Sequence, residues 1–315
     1  NNHFEISWFI YAQTASCIIT IAVASVLVFR KSPVVKFNWN YPLLVLIIKQ
    51  CYPYALLSVL MTLYVRIDAV MLERMLPDGK IQAGYYAAAY RLFDATNMFA
   101  FLFAGLLLPI FARMLGTGQS IAALTRLSFS ILILPCFMIC ISCYFYADAI
   151  MNLLYHTETA AHIGPTFPLL MFGLIGVATT YIFGTLLTAN GDIKLLNSIA
   201  IIGLFINIAL NLWLIPIYKA NGAAFSALLT LSIVAIGQVI AAFKYFKLTF
   251  GRIYILSFLL IIAICILSNY ALKHFFENWI IALLASAFIT LATLLITNIL
   301  PIKEARNFFA AKLIN

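Results

Sequence analysis

Long apolar runs recur from one end of this chain to the other, each bounded by charged residues, proline or glycine. They measure about 20 residues, the length that an α-helix needs to cross the hydrocarbon core of a bilayer. Because the bilayer core offers backbone groups no water, only helices and closed barrels can span it. The shorter alternating strands of a barrel are not evident in the sequence. The pattern therefore predicts an all-α polytopic membrane protein.

Composition supports this fold class. Of 315 residues, 65% are hydrophobic and 9% are charged, and the mean hydropathy is +1.06. Such a chain lacks the polar surface that a soluble domain presents to water. The net charge of +9 would point to nucleic acid in a soluble protein. Here the basic residues gather in one set of loops, so we expect no nucleic-acid partner.

Nine apolar segments are candidate membrane spans. They are residues 6–29, 43–76, 83–110, 124–147, 165–188, 195–215, 222–243, 253–272 and 279–300. The second segment is longer than one perpendicular helix requires. Because proline interrupts helical hydrogen bonding, Pro53 predicts a division between a cytoplasmic lead-in helix and a span at 53–76.

The distribution of lysine and arginine predicts the orientation. Loops on one side hold twelve basic residues: Arg30, Lys31, Lys36, Arg113, Arg126, Lys194, Lys244, Lys247, Arg252, Lys303, Arg306 and Lys312. Loops on the other side hold four: Arg74, Lys80, Lys219 and Lys273. Because cytoplasmic loops are enriched in these residues, we expect the chain to start outside and end in the cytoplasm. It does not begin with methionine, and we interpret it as a piece that has lost N-terminal helices.

Four charged residues interrupt the second and third segments: Arg66, Asp68, Arg91 and Asp94. The short loop "PDGKIQ" joins these segments, which predicts an antiparallel hairpin. At the helical rise per residue, all four charges lie about 12 to 17 Å from the turn, near the middle of the membrane. The register of the hairpin places Arg66 opposite Asp94 and Asp68 opposite Arg91, so we predict two crossed ion pairs.

Two roles for these charges stay open. They can neutralise one another as clamps between two helices. Alternatively, Arg66 and Arg91 contact an anionic substrate in an aqueous cavity, while Asp68 and Asp94 hold the arginines or carry a coupling ion. Because charge inside a bilayer is costly, intramembrane ionisable residues often mark a transport pathway. The second hypothesis therefore identifies Arg66 and Arg91 as candidate substrate-binding residues.

Asn207 and Asn211 are four residues apart and share a helix face. Amides in membrane helices form interhelical hydrogen bonds, and these two can also line a cavity. His156, Glu158 and His162 have no cysteine or second carboxylate at metal-ligand spacing. The chain also has no phosphate loop, HExxH or G-x-S-x-G motif. We therefore expect no metal, no cofactor and no enzymatic activity.

Two blocks of the sequence resemble a transporter family. The first, "YVRIDAVMLERMLPDGKIQAGYYAAAYRLFDA", is followed by "LLLPIFARM"; the second is "NGDIKLLNSIAIIGLFINIALNLWLIPIYKANGAAFSALLT". The residues that carry the resemblance are Ile67, Asp68, Met71, Leu72, Gly84, Tyr86, Ala88, Ala89, Arg91, Leu92, Pro109, Arg113, Asn207, Asn211, Pro216, Gly222 and Ala223. They are similar to those of polysaccharide flippases, the O-antigen and capsule repeat-unit exporters of the multidrug/oligosaccharidyl-lipid/polysaccharide exporter superfamily.

The resemblance implies a two-lobed helical bundle. Residues 1–30 would be the last helix of an N-terminal lobe, and residues 31–52 a cytoplasmic linker with the lead-in helix. Residues 53–250 would form a six-helix C-terminal lobe. Residues 251–315 would add an extra helix pair and a cytoplasmic tail. The other helices of the N-terminal lobe, and with them half of the substrate cavity, would be missing.

The resemblance also implies a function. The protein would flip undecaprenyl-diphosphate-linked oligosaccharides across the bacterial plasma membrane by alternating access, with H⁺ or Na⁺ as the coupling ion. Polysaccharide assembly enzymes would be partners, and Tyr85, Tyr86 and Tyr90 are candidates to line the substrate path. Alternatives within the superfamily are a multidrug/cation antiporter and a flippase of peptidoglycan lipid precursors. A membrane glycosyltransferase or polysaccharide polymerase is an alternative from another class.

Overall fold

The computed structural model describes residues 6–31, 39–155 and 157–297. Helices make up 91% of it, and the described residues contain no strand. The predicted all-α fold class is confirmed. Several predicted parts lie outside the described residues: residues 1–5 of the part assigned to the N-terminal lobe, residues 32–38 of the linker, residues 298–300 of the last span and residues 301–315 of the tail, together with His156.

Ten helices follow one another along the described chain. They are α1 (Ile6–Lys31), α2 (Tyr41–Met75), α3 (Gly79–Gly116), α4 (Ala122–Phe145), α5 (Ala147–Leu154), α6 (Thr157–Ile163), α7 (Thr166–Asn190), α8 (Ile193–Phe246), α9 (Arg252–Phe275) and α10 (Trp279–Ile296). Eight of these, all but the short α5 and α6, are long and apolar enough to cross a membrane.

α8 is a 54-residue element that folds back on itself. At Lys219 the backbone leaves helical geometry, with φ 52° and ψ −129°. The chain reverses so sharply after this break that a side chain at Gly222 would clash with the carbonyl oxygen of Leu214. We call residues 193–218 the first arm and residues 220–246 the second arm. The two arms account for the sixth and seventh predicted segments, so each of the nine predicted spans falls on one of the eight long helices, apart from a few end residues and residues 298–300, which are not described.

α2 runs from Tyr41 to Met75 with Pro53 inside it. The lead-in helix and the span predicted on either side of Pro53 thus form one continuous helix. A proline removes one hydrogen bond and crowds one turn, whereas the other turns of a long helix keep their bonds. The carbonyl oxygen of Pro53 accepts a hydrogen bond from Asn197 Nδ2 on α8 at 3.0 Å.

The chain divides into two compact units, residues 1–51 and 52–315. The first unit includes α1 and the start of α2, whose described side chains are mostly exposed. The second unit holds the rest of α2 from Tyr52, the other helices and the hydrophobic core. The four-part division implied by the resemblance stays a prediction, as does the cytoplasmic position of the C-terminus.

α7 lies at the centre of the second unit, where it packs against α3, α4 and α8. Small residues let it approach the second arm of α8 closely. A side chain at Gly176 would lie 2.8 Å from the backbone of Leu231. Because lipid tails are as apolar as leucine, association of membrane helices depends on such close packing. α7 therefore provides a wall against which α3 and α8 are positioned.

α9 and α10 pack on each other and on α4. A buried amide joins all three helices. Asn269 Oδ1 on α9 accepts hydrogen bonds from Ser142 Oγ on α4 at 3.4 Å and from Ser286 Oγ on α10 at 3.1 Å. Hydrogen bonds of this kind hold helices together within a bilayer.

Candidate functional site

A tight turn between α2 and α3 sets the register of the charged hairpin. The N–H of Gly79 donates to the carbonyl oxygen of Leu76 at 3.1 Å. Next to the turn, Asp78 accepts hydrogen bonds from Lys219 Nζ at 2.9 Å and from Gln82 Nε2 at 3.0 Å. The bond from Lys219, and then that from Gln82, lowers the pKa of Asp78. The turn is thereby tied to the break in α8.

Arg66 and Asp94 form the ion pair that the hairpin register predicts. Arg66 Nη2 donates to Asp94 Oδ2 at 3.0 Å and to Asp94 Oδ1 at 3.2 Å. The guanidinium carbon lies 4.9 Å from the centre of the Tyr90 ring. Although both residues are in the middle of their helices, the side chains are 57% and 43% exposed. The pair is therefore open to a ligand or to water.

Asp68 is fully buried, and its partners are neutral. Its Oδ1 accepts hydrogen bonds from Asn207 Nδ2 at 2.9 Å and from Asn211 Nδ2 at 2.6 Å. Its Oδ2 accepts from the Tyr86 hydroxyl at 3.0 Å. We call these four residues the Asp68 cluster. Three hydrogen-bond donors satisfy the carboxylate, but among the described residues no lysine or arginine neutralises it.

The predicted pair between Asp68 and Arg91 is not formed. Arg91 is exposed and has no ion-pair partner in the described ranges, whereas Asp68 points into the protein. Positions two apart on a helix lie about 200° apart around its axis. Arg66 and Asp68 therefore face opposite ways, and a register that pairs Arg66 with Asp94 turns Asp68 away from α3's exposed face. Asp68 and Arg91 lie at the same depth along the hairpin, but they do not pair because their side chains point in different directions.

Asn207 and Asn211 connect the first arm of α8 to α2 through Asp68. Both are fully buried, and Asn211 Nδ2 also donates to Asn207 Oδ1 at 3.1 Å. The Oδ1 of Asn211 is buried and has no hydrogen-bond partner among the described residues. Among those residues no group of three or more His, Cys, Asp and Glu side chains is assembled. Both asparagines turn their amide N–H groups toward Asp68, so the cluster presents hydrogen-bond donors to the carboxylate.

Arg66 also lines a cavity of about 510 Å³ between α2, α3, α7 and the second arm of α8. We call it the arginine pocket. Its other polar lining residues are Tyr54, Ser58, Thr62, Tyr64, Asn97, Thr180 and Tyr181. Arg66 is the one charged residue among those that line the pocket in the described part of the chain. The pocket is thus suited to a ligand with a negative group at one end.

Tyr90 lies between Tyr86 of the Asp68 cluster and Arg66 of the arginine pocket. The Tyr86 ring is 5.6 Å from that of Tyr90, which in turn lies against the Arg66 guanidinium. Tyr86 was expected to line the substrate path but is instead buried beside Asp68. Tyr85 stacks on His162 of α6, with 5.0 Å between ring centres. The structure therefore separates two sites and joins them by a short aromatic contact.

Several lining residues of the arginine pocket were not singled out by the sequence. Asn97 lies one turn after Asp94 on α3, and its position in that register is the feature that could have indicated it. Thr180 and Tyr181 occur in α7, an apolar helix without charged residues. Nothing in the local sequence distinguishes them from packing residues, because their role depends on which face of α7 meets α2 and α3.

Comparison with protein families gives a match that covers most of the chain. The family model described as "Lipid II flippase MurJ" matches residues 3–293. No curated protein matches the chain. The family falls within the exporter superfamily that the motifs indicated, but it is the peptidoglycan-precursor branch. The match therefore favours the peptidoglycan alternative over the principal O-antigen hypothesis.

Proposed function

The chain belongs to the lipid II flippase MurJ family, and we propose that it carries the lipid-linked precursor of peptidoglycan across the plasma membrane. Members of this family are transporters and not enzymes, and the family is one of the bacterial inner membrane. The match over residues 3–293 of 315 is the observation that carries the proposal. The geometry of the two sites supports it.

Arg66 is the proposed contact for the diphosphate of the substrate. It lies at mid-helix in an open pocket, and its partner Asp94 satisfies one side of its guanidinium. The fixed donor geometry of arginine matches phosphate oxygens, and such charge-assisted bonds are strong. Asp94 would hold Arg66 in place when the pocket is empty and share it when the substrate is bound.

Arg91 is the proposed second contact. It lies three residues before Asp94 on α3, close to the same helix face. It is exposed and has no ion-pair partner in the described part of the chain. An exposed arginine without an ion-pair partner in the middle of a membrane-spanning helix is energetically unfavourable unless it contacts water or an anion. A diphosphate has two charged groups, so Arg91 would bind one of them while Arg66 binds the other.

Asp68 is the proposed site of the coupling ion, either H⁺ or Na⁺. A buried carboxylate with neutral partners is a net charge in a medium of low dielectric constant, and this is unfavourable. A proton or a sodium ion would remove that charge. The ion would then stabilise the arrangement of α2 and α8 in one state of the transport cycle, during which the protein alternates between inward-open and outward-open forms.

An arginine as the charged lining residue of the arginine pocket favours an anionic substrate over the cation of a multidrug antiporter. A cation would need an acid-lined cavity, and Asp94, the acid next to the pocket, is already paired with Arg66. Organic-cation efflux driven by an ion gradient, measured with the full-length protein in liposomes, would contradict the proposal. We expect instead that the organic cation stays on the side of the liposome membrane where it was placed.

Depletion of the full-length protein tests the substrate class directly. In a strain without a second flippase of this kind, depletion should cause lipid-linked peptidoglycan precursors to accumulate at the cytoplasmic leaflet and should stop cell-wall synthesis. The two leaflets can be distinguished by a membrane-impermeant enzyme that cleaves exposed precursor. Loss of a surface polysaccharide with normal peptidoglycan would contradict the proposal and favour the O-antigen branch.

A further inference from the structure

Tyr90 is a buried residue whose ring lies beneath the guanidinium of Arg66. It is 6% exposed and is not among the described residues that line the arginine pocket. The guanidinium carbon of Arg66 lies over the ring, 4.9 Å from its centre. Arg66, in contrast, is a lining residue whose side chain is 57% exposed. A ligand in the pocket therefore meets Arg66, and Tyr90 can influence that ligand only through Arg66.

Neighbouring rings hold Tyr90 in place. The centre of its ring lies 5.6 Å from that of Tyr86 and 4.9 Å from that of Phe93. These three residues follow the spacing of one face of α3, and all of them are buried. Tyr86 is itself fixed by the hydrogen bond from its hydroxyl to Asp68 at 3.0 Å. Because buried side chains are close-packed, the ring of Tyr90 offers Arg66 a surface of constant orientation.

Asp94 holds Arg66 at a different point. Both hydrogen bonds that join the two side chains come from Nη2, to Oδ2 at 3.0 Å and to Oδ1 at 3.2 Å. A contact through one nitrogen fixes one corner of the planar guanidinium but lets the plane tilt about that corner. An aromatic ring against the guanidinium removes this freedom, because arginine stacks on aromatic faces. Tyr90 and Asp94, one turn apart on α3, therefore set the plane and one corner of the same cation.

This arrangement leaves the Nη1 and Nε donors of Arg66 available along the other edge of the guanidinium, since both bonds to Asp94 come from Nη2. The fork of arginine donors matches phosphate oxygens, so an anion can bind at that edge. A long side chain in an open pocket would otherwise take many orientations. An arginine that is already oriented loses less freedom when a ligand binds, and its affinity for the ligand is higher for that reason.

From this geometry we propose that Tyr90 is a positioning residue for substrate binding: its ring fixes the plane of the Arg66 guanidinium and so presents the Nη1 and Nε edge to the diphosphate. The inference rests on the proposed function, in which Arg66 contacts that diphosphate. It assigns this role to the Tyr90 ring and not to its hydroxyl. The hydroxyl lies 3.5 Å from its acceptor, the carbonyl oxygen of Val65, which is long for a hydrogen bond from a hydroxyl.

Fluorination tests the attraction between the ring and the guanidinium while the shape of the ring is nearly kept. Fluorine withdraws electron density from the ring face, on which a cation–π contact depends. Phenylalanine and its mono-, di- and trifluorinated analogues are placed at position 90 of the full-length protein in lipid nanodiscs, and binding of farnesyl diphosphate is measured. Tyr90→Phe retains the ring and should bind this probe within about twofold of wild type. The affinity should then fall stepwise with fluorination, by about threefold to tenfold over the series.

Two controls test whether the effect acts through Arg66. In Arg66→Ala, which has no guanidinium over the ring, the same series should leave the remaining affinity unchanged. The second control is the series at Phe183, a fully buried ring that lies 6.1 Å from the rings of Phe129 and Phe243 and has no cation over it among the described residues. It should leave binding of farnesyl diphosphate unchanged. Thermal unfolding in detergent shows that each variant is folded.

The outcomes separate the positioning role from the function on which it rests. Constant affinity across the series at position 90, while Arg66→Ala still weakens binding, would overturn the role of Tyr90 alone. So would a series that keeps its trend in Arg66→Ala, or equal trends at positions 90 and 183, because ring packing would then explain the loss. A folded wild-type protein that does not bind farnesyl diphosphate would contradict the proposed function and the role of Tyr90 with it.

Discussion

The arginine pocket and the Asp68 cluster accommodate charge within the membrane in opposite ways. Arg66 and Asp68 are separated by one residue of α2, yet Arg66 is half exposed and paired with an acid, whereas Asp68 is fully buried among neutral donors. The first arrangement is electrically balanced and open. The second holds an unbalanced charge in a closed environment. On the proposed mechanism, the balanced pair would share Arg66 with an anion, whereas the unbalanced buried acid would take up a cation.

The largest loss of stability should come from removing the buried carboxylate of Asp68. In Asp68→Ala, three donors lose their acceptor, and we expect a loss of about 3 kcal/mol in the free energy of unfolding. In Asp68→Asn the shape and most hydrogen bonds are kept, so the protein should fold but transport should no longer depend on the ion gradient. Thermal unfolding in detergent and transport in liposomes measure the two properties. Equal stability of both variants would show that the cluster does not need its acceptor.

A single donor to Asp68 should have a smaller effect. Tyr86→Phe removes one of the three hydrogen bonds to the carboxylate and should destabilise the protein by about 1 kcal/mol. Tyr90→Phe is the control, since the Tyr90 hydroxyl meets its acceptor, the carbonyl oxygen of Val65, at a distance of 3.5 Å. If Tyr90→Phe were as destabilising as Tyr86→Phe, the loss would reflect the removal of a hydroxyl from this region and not the bond to Asp68.

The open ion pair should matter more for binding than for folding. A double-mutant cycle of Arg66→Ala and Asp94→Ala should give a coupling free energy below about 1 kcal/mol, because the pair is half exposed. Arg66→Ala should still weaken binding of farnesyl diphosphate by about tenfold or more. The exchanged variant, which carries Arg66→Asp and Asp94→Arg together, should fold but should not bind farnesyl diphosphate. Restored binding would show that the pair is only a clamp between helices.

The smallest change in stability is expected at the turn between α2 and α3, outside the predicted membrane spans. Hydrogen bonds from Lys219 and Gln82 depress the pKa of Asp78 in the folded state. The stability that this carboxylate contributes is therefore fully present above its unfolded-state pKa and is lost as the pH falls through the folded-state pKa. Wild type should melt slightly above Asp78→Asn at neutral pH, and this difference should vanish in strong acid. A difference independent of pH would assign the effect to something other than the charge.

The sequence predicted the positions along the hairpin better than the directions of its side chains. The short turn and the opposite charges gave the pair between Arg66 and Asp94 correctly. The pair between Asp68 and Arg91 was wrong, because Asp68 points into the protein toward Tyr86 of α3 and the asparagines of α8, whereas Arg91 lies on the exposed face of α3. The asparagines of α8 were recognised as polar packing residues, but their common acceptor, Asp68, is 139 residues away from Asn207.

The fold was predicted to the level of individual spans, including the two arms of α8. Pro216 and the following polar residues indicated that reversal in the sequence. The pocket was not predictable in the same way. Tyr181 is surrounded in sequence by the apolar residues of α7, so its contact with the pocket arises from tertiary packing alone. The substrate branch was also misjudged, since the motifs are shared across the superfamily and the family match favours the peptidoglycan branch.

The bond network of Asn269 has a consequence for how the sequences of α9 and α10 can change. One amide oxygen, bonded to Ser142 and Ser286, helps to align both helices against α4. The side chains that face lipid contribute little to that alignment, because lipid and protein are equally apolar there. These outward positions are therefore free to drift among apolar residue types, while the three polar positions must change together or not at all.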